Sequence, residues 1–532
     1  MDSFRPDRRD ILQAALAAGG FFLLPRAARA QTAGAASEPT PFSFDILKEM
    51  ARTLAQQPWT APKIPDDKVL EEIDYDRHNQ ITFRKEHTLW LNQGNTSPVQ
   101  PFFPGRYFKT PVRIHTVENG MATEWPFSLD LFDIPEDNPA RNLTHTTGFA
   151  GFHVMDAKTG LDWMALLGAS YWRTSGYSGQ FGMSVRGLAI DSGMSDRPEE
   201  FPLFTRFWLE PSTDGAITIW ALMESQSVTG AYQIISHRDH GVIQDVTATI
   251  YLRADVARLG IAPLTSMFWY GKHNRFAAAD WRPEIHDSDG LEIITGTGER
   301  IWRPLNDPPR TMVNNFVSPN VKGFGLMQRE RDFQQYQDDG VFYEKRASVW
   351  VEPKGDWGDG SVTLVELSTN DEIHDNIVAF WQPGPAAKAG KSYDLSYRLT
   401  WMENSPVPPI SARFIAVRIG SGGIPGQPRP PKTVRVACDF EGTGLEGLGR
   451  GDGVTVNVTT SRGKVSKEVA YPVVSTDYWR AMFDLDFADV PTGDDTPIDI
   501  RLFVSHEDKA KTETLLLQLF PSQMDRILAM SP

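Results

Sequence analysis

From Val246 onward the chain alternates. Val246, Ala248, Ile250 and Leu252 are apolar or small, while Thr247, Thr249, Tyr251 and Arg253 between them are polar-faced. The same period of two runs through Tyr393, Leu395, Tyr397, Leu399 and Trp401 against Asp394, Ser396, Arg398 and Thr400. Successive strand side chains point to opposite faces, so this pattern predicts half-buried antiparallel strands. Near the start the period changes. Leu47, Met50 and Leu54 fall on one face of a helix over residues 43–57, with Ser43 placed to cap it. The segment 31–42 before it is small and polar and reads as a leader.

Between Asn404 and Pro431 the alternation breaks into "NSPVPPI" and "GSGGIPGQPRPP". Proline and glycine at that density predict a linker. Short alternating stretches resume beyond it: Val454, Val456 and Val458; Ala481, Phe483, Leu485 and Phe487; Ile498, Ile500, Leu502 and Val504; then "TLLLQLF". Their size and number predict a small immunoglobulin-like sandwich. The expected class is therefore all-β, with a large β-sandwich over 40–405, a linker over 406–431 and an immunoglobulin-like domain over 432–532. There is no repeat of solenoid or propeller length.

Composition agrees and adds a compartment. A chain of 532 residues exceeds one ordinary core, and 43 Gly with 38 Pro favour a turn-rich fold. The first thirty residues read as an export signal. Arg8-Arg9-Asp10-Ile11-Leu12 is a twin-arginine pattern, Ile11 to Leu24 carries no charge, and Ala28-Arg29-Ala30 offers a cleavage site after Ala30. The apolar run is short for a membrane anchor, and no other long apolar stretch follows, so a soluble, periplasmic mature protein is expected. The signal contributes five Arg and three Asp, and its removal takes the net charge from −15 to −17. Such a surface repels nucleic acid and anionic lipid; a neutral substrate such as a glucan suits it better. Cys438 is the only cysteine, which excludes an internal disulfide and a CxxC metal or redox site.

Several motif-like stretches fail on spacing. "GPAAKAGKS" from Gly384 has five residues between its glycines where a phosphate-binding loop needs four. "DSDG" from Asp287 reaches Gly298 at the position where a calcium loop needs a bidentate Glu. His237 and His240 lack a third ligand nearby and read as surface or groove residues. There is no GxSxG elbow. No cofactor and no metal are expected.

Carboxylates and aromatics concentrate in three segments. "RPEIHDSDGLEI" (282–293) holds Glu284, His286, Asp287, Asp289 and Glu292, with Trp281 before it and Trp302 after. Residues 337–361 hold Tyr343, Arg346, Trp350 and Trp357, and "NDEIHDNIVAFW" (370–381) holds Asp371, Glu372, His374 and Asp375. Inverting cleavage of a glycosidic bond needs two carboxyl groups, one protonating the leaving oxygen and one taking a proton from water. Aromatic faces suit the C–H side of glucose. Acidic strand ends are also common as solvated loops, so spacing alone leaves both readings open.

At these segments, and at "PFFPGRYFKTPVRIHTVENG", "GFAGFHV" and "LGASYWRTSGYSGQFGMSVRGLAID" earlier, the chain resembles the periplasmic glucan biosynthesis proteins G and D (OpgG/OpgD, also called MdoG/MdoD) over nearly its whole mature length. Its twin-arginine signal resembles the D branch. The resemblance implies a galactose mutarotase-like sandwich and action on β-1,2-glucan, by inverting hydrolysis or by transglycosylation, in osmoregulated periplasmic glucan biosynthesis. It implies Asp375 as general acid and Asp287 as general base, Asp289 being the alternative base. Glu372 is implied to tune the acid or bind sugar, and Tyr343 to bind substrate or relay a proton. Trp281, Trp302, Trp350, Trp357 and Arg346 complete the expected glucan-binding set. A membrane glucan synthase and a second copy of the chain are the further partners this reading allows. The competing expectation is a non-catalytic glucan-binding scaffold that assists such a synthase.

Overall fold

The computed structural model describes residues 38–530 apart from Asn95, Ala279, Ile410 and Pro425. The twin-arginine segment lies outside the described residues. Among these residues no helix is long and apolar enough to cross a membrane.

Two large sheets dominate. The strands read from alternation sit at the centre of the first. Val242–Leu252 pairs antiparallel with Val228–Arg238 on one side and with Ser392–Met402 on the other, in the register Val246↔Tyr397, Ala248↔Leu395 and Ile250↔Tyr393. The paired apolar residues face a common core with Val351, Leu364 and Ala379. The second sheet has Leu259–Ser266 near its middle, flanked by Ile377–Pro383 and Ser184–Arg186, and packs its inner face on that same core. Burying side chains from two inner faces is what holds such a sandwich together.

The helix Phe44–Ala55 forms where its apolar face predicts it. Ser43 Oγ accepts from Ile46 N at 3.3 Å, and Leu47 and Ala51 are buried. It lies on the outer face of the first sheet against Trp208, Trp220 and Leu222. Arg253 donates to the Leu54 carbonyl from Nε and Nη2 at 3.1 and 2.8 Å, adding to the 3.1 Å bond that Gln57 N gives the same oxygen at the helix end.

The C-terminal region differs from the expectation of a domain beyond a linker. Within the segment 406–431, Arg413–Ser421 is a strand, paired with Thr433–Glu441 in a four-stranded sheet. The Pro/Gly-rich stretch after Ser421 is the connection of that hairpin, which is why composition alone made it resemble a linker. The facing strands Ile498–His506, Thr514–Leu519 and Thr455–Thr460 do not close a separate sheet. They continue the first sheet through the parallel pairing of Ile301 with Thr514 and Trp302 with Leu515. One core cluster therefore holds Phe440, Phe483, Leu502 and Leu517 together with Trp302, Met327 and Trp350. Cys438 is fully buried there, and burial pushes its thiol pKa up.

Candidate active site

The two central strands of the second sheet leave it at the same end. Leu259–Ser266 runs on through Met267 into Phe268–Tyr270, and Ile377–Pro383 is entered from the loop 367–376; the register there is Ser266↔Ile377. Asn376 ties the two together. Its Oδ1 accepts from Phe268 N at 2.9 Å, and its Nδ2 donates to the carbonyls of Phe268 and Leu367 at 2.9 and 3.0 Å. Asp287 N donates to the Met267 carbonyl at 2.8 Å. Asp287 and Asp375 thus flank adjacent residues of one strand exit, although they lie on different segments of the chain.

Side chains join them from above. Arg346 forms an ion pair with Asp287, and its guanidinium lies 4.2 Å from the Tyr343 ring centroid. Tyr343 Oη donates to Glu372 Oε2 at 2.5 Å. Glu372 also accepts from Arg282 Nη1 and Nη2 at 3.0 and 3.1 Å, and Arg282 reaches Asp338 at 2.7 Å and Asp280 at 3.0 Å. Burial disfavours the Arg282 charge, but the hydrogen bonds it donates to Asp280, Glu372 and Asp338 outweigh this and hold its pKa above the ordinary arginine value. The turn Tyr343–Lys345 that presents Tyr343 begins at Phe342 with φ 48°, a left-handed conformation rare for an aromatic residue. The loop after strand Tyr171–Thr174 closes over this turn. Ser178 Oγ donates to the Lys345 carbonyl, and a Cβ on Gly182 would lie 2.8 Å from Arg346 Cδ, so a larger residue there would push the Arg346 side chain aside.

Behind Asp287 lies a buried ionic network. Gln328 Nε2 donates to the carbonyls of His286 and Tyr343 at 3.2 and 3.1 Å, which leaves its Oε1 to accept from His286 Nδ1 at 3.0 Å. The other imidazole nitrogen faces Glu284 Oε2 at 3.2 Å and Asp289 Oδ1 at 3.5 Å. Both ring nitrogens thus need protons. Burial works against the charge, but Asp289 and Glu284 overcome it and raise the His286 pKa. Lys272 Nζ bridges Glu284 and Glu330, each at 2.7 Å. Glu284, His286 and Asp289 bring ligand atoms within 4.8 Å of one another. Lys272 on Glu284, the Gln328 amide on His286 Nδ1 and two backbone amides on Asp289 already engage this donor set as an ion-paired support.

The structure separates the expected residues. Asp287, Arg346, Tyr343 and Glu372 form one connected chain, and Asp375 joins it through its own loop. Asp289 turns inward: Oδ2 accepts from Glu330 N at 2.7 Å and from Arg329 N, so it fastens the backbone beneath the site. Trp281 is 72% exposed at the rim beside Arg282. Trp302 and Trp350 belong elsewhere. Both are buried in the C-terminal core cluster, and Arg329 covers the Trp302 ring at 3.6 Å, so neither presents a face to a sugar. Their positions beside strand-end carboxylates suggested a groove, but inward alternation decides their fate. Trp357 packs against Trp381 and Tyr397. His240 is a surface residue. Sequence reasoning missed Asn376, Arg282 and Arg173. Each lies inside a stretch singled out for other residues, and a polar residue within an apolar strand entry was the available signal.

An all-β sandwich with carboxylates, arginines and a buried tyrosine converging at one strand exit is the class that fold and site define. A sequence model of the family described as "Periplasmic glucan biosynthesis protein, MdoG" matches residues 42–519, and the chain belongs to that family. It is 45% identical to glucans biosynthesis protein D 2 of Ralstonia nicotianae over 91% of each chain. It is 44% identical to glucans biosynthesis protein D of Stenotrophomonas maltophilia over 97% of this chain and 98% of that one. A probable glucans biosynthesis protein D of Shewanella oneidensis is 42% identical over 93% of this chain and 92% of its own. Among solved structures, a galactose mutarotase related enzyme from Lactobacillus acidophilus is similar over 48% of this chain and 92% of its own, at 11% identity and TM-score 0.21.

Proposed function

We propose that the protein is a β-1,2-glucan-cleaving or transferring enzyme of periplasmic glucan biosynthesis, with Asp375 as general acid and Asp287 as general base. The observation that carries this reading is the anchoring of Asp287 to Met267 and of the Asp375 loop to Phe268, which brings two carboxylates from distant segments to one strand exit.

In hydrolysis, the Asp375 carboxyl gives its proton to the glycosidic oxygen as the C1–O bond breaks. A water on the opposite face of the ring attacks C1 and loses its proton to Asp287, and C1 is left with a hydroxyl of inverted configuration. In transfer, a sugar hydroxyl takes the place of that water. Arg346 beside Asp287 favours the ionised carboxylate that a base requires. Glu372, held by Arg282 and Tyr343, keeps the acid loop in place. Trp281 offers an exposed apolar face at the rim for a sugar ring.

The test is incubation with linear β-1,2-glucan, with chain length and new reducing ends followed over time. Asp375→Asn and Asp287→Asn should each slow the reaction by roughly 10²–10⁴-fold. Glucan that binds and keeps its length with the unmutated protein would instead establish the scaffold. Export by the twin-arginine route belongs to the same proposal. Changing Arg8 and Arg9 to Lys should leave the uncleaved chain in the cytoplasm.

A further inference from the structure

Arg173 is a mostly buried arginine whose guanidinium nitrogens still reach solvent. It lies on strand Tyr171–Thr174 of the second sheet and is 8% exposed. Its guanidinium stands 5.1 Å from the Phe181 ring centroid and feels the charges of Asp162 and Asp375. It forms no hydrogen bond with a described residue. Burial of a guanidinium is tolerated when its donors are filled, because the desolvation cost is otherwise uncompensated. Two other buried arginines fill theirs, Arg303 with Glu366 and Arg329 with Glu513 and Glu292, while Arg186 fills Nε and Nη1 with Thr265 and Glu199 and leaves only Nη2 without a partner among the described residues. An unfilled fork that reaches solvent at such a place is open to a partner that the chain does not supply.

The surroundings say what kind of partner. Phe181 comes from the loop that closes over Arg346, so Arg173 and Arg346 flank the same loop. Asp375 is the other charged neighbour, which puts Arg173 on the acid side of the site. The residue paired with Arg173 on the adjacent strand is Ala165, whose short side chain takes up little of the space beside the guanidinium. An anion entering there would meet Asp162 and Asp375. A neutral polyol would not: its hydroxyl oxygens accept from the guanidinium while its hydroxyl protons can be given to the carboxylates. The planar fork matches two neighbouring oxygens of a sugar ring.

We propose that Arg173 is a glucan ligand, donating hydrogen bonds to ring hydroxyls in a subsite next to Asp375. This rests on the glucan reading above and adds to it a residue and a side of the cleft.

The full chain is compared with Arg173→Met and Arg173→Lys. Binding of linear β-1,2-glucan is measured in an Asp375→Asn background, so that turnover is not needed. Arg173→Met should weaken binding tenfold or more and leave the melting temperature unchanged or raised, because it removes a buried charge with no hydrogen bonds to lose. Arg173→Lys should keep the charge and recover little affinity, since one ammonium cannot span two oxygens. Unchanged affinity in Arg173→Met overturns the proposal, and so does a melting temperature lowered by several degrees, which marks a structural role. If the unmutated protein leaves glucan uncleaved, the enzymatic reading fails while the binding comparison still decides the role of Arg173.

Discussion

Tyr343 Oη donates to Glu372 Oε2 at 2.5 Å, and the same ring carries the Arg346 guanidinium 4.2 Å from its centroid. One tyrosine therefore touches both arms of the site: the loop that leads to Asp375 and the arginine that holds Asp287. Removing its hydroxyl leaves the ring and its stack with Arg346 in place. Tyr343→Phe should lower kcat by 10-fold or more and cost about 1.5–3 kcal/mol of stability, the range for a hydrogen bond to a charged group. Steady-state kinetics with a urea titration separate the two effects.

Asp287 and Arg346 make a buried pair, with side chains 7% and 14% exposed. Asp287→Asn strands the arginine, and breaking such a pair costs about 3–5 kcal/mol. The double variant Asp287→Asn/Arg346→Met should regain most of that stability and none of the activity. Chemical denaturation of the single and double variants checks the first part, and the glucan assay the second.

The tryptophans should divide by exposure. Trp281→Ala should raise KM or weaken glucan binding while the melting temperature stays put, because the ring is 72% exposed. Trp350→Ala should cost about 3–5 kcal/mol, as truncation of a core aromatic does, and lower activity only through loss of folded protein. Thermal melts beside binding isotherms distinguish the two.

Asp307 gives the protein a pH dependence near neutrality. Its Oδ1 accepts from Thr369 N at 2.8 Å, at the start of the loop that carries Glu372 and Asp375. Burial pushes its pKa up to about 7, the Glu366 charge adds to this, and the Thr369 hydrogen bond opposes it. The folded state then holds a proton that the unfolded chain releases near pH 4, so stability falls as pH rises from about 4 to about 7. Asp307→Asn removes this dependence. Its melting temperature should match the unmutated protein near pH 4 and exceed it at pH 8. A gap that stays constant across this range would contradict the raised pKa.

The main strands were legible because one face of each is more buried than the other: Val246 to Leu252 and Leu395 to Trp401 show it at every position but Thr249 and Thr400, which are buried too. The helix at Phe44 was legible through its cap and stripe. Arg413–Ser421 was hidden because mostly half-buried residues on an edge strand, next to proline and glycine, leave little periodicity. Within the site, the family resemblance pointed to the two aspartates, but only their burial and partners tell Asp287 from Asp289. One faces Arg346, and the other fastens backbone amides. Asn376 escaped notice since its importance lies in three backbone contacts with segments distant in the chain, which no local pattern records.

The parallel join of Ile301 with Thr514 has a consequence for how the chain is made. Strand Arg300–Pro304 follows directly on the segment that bears Asp287, and among the described residues its outer edge pairs only with Thr514–Leu519. During synthesis that edge has to wait, bare, until the final strand leaves the ribosome. The half that bears Asp287 therefore completes its sheet only with this later strand, and shortening the tail should yield sticky, self-associating protein instead of a trimmed but working one.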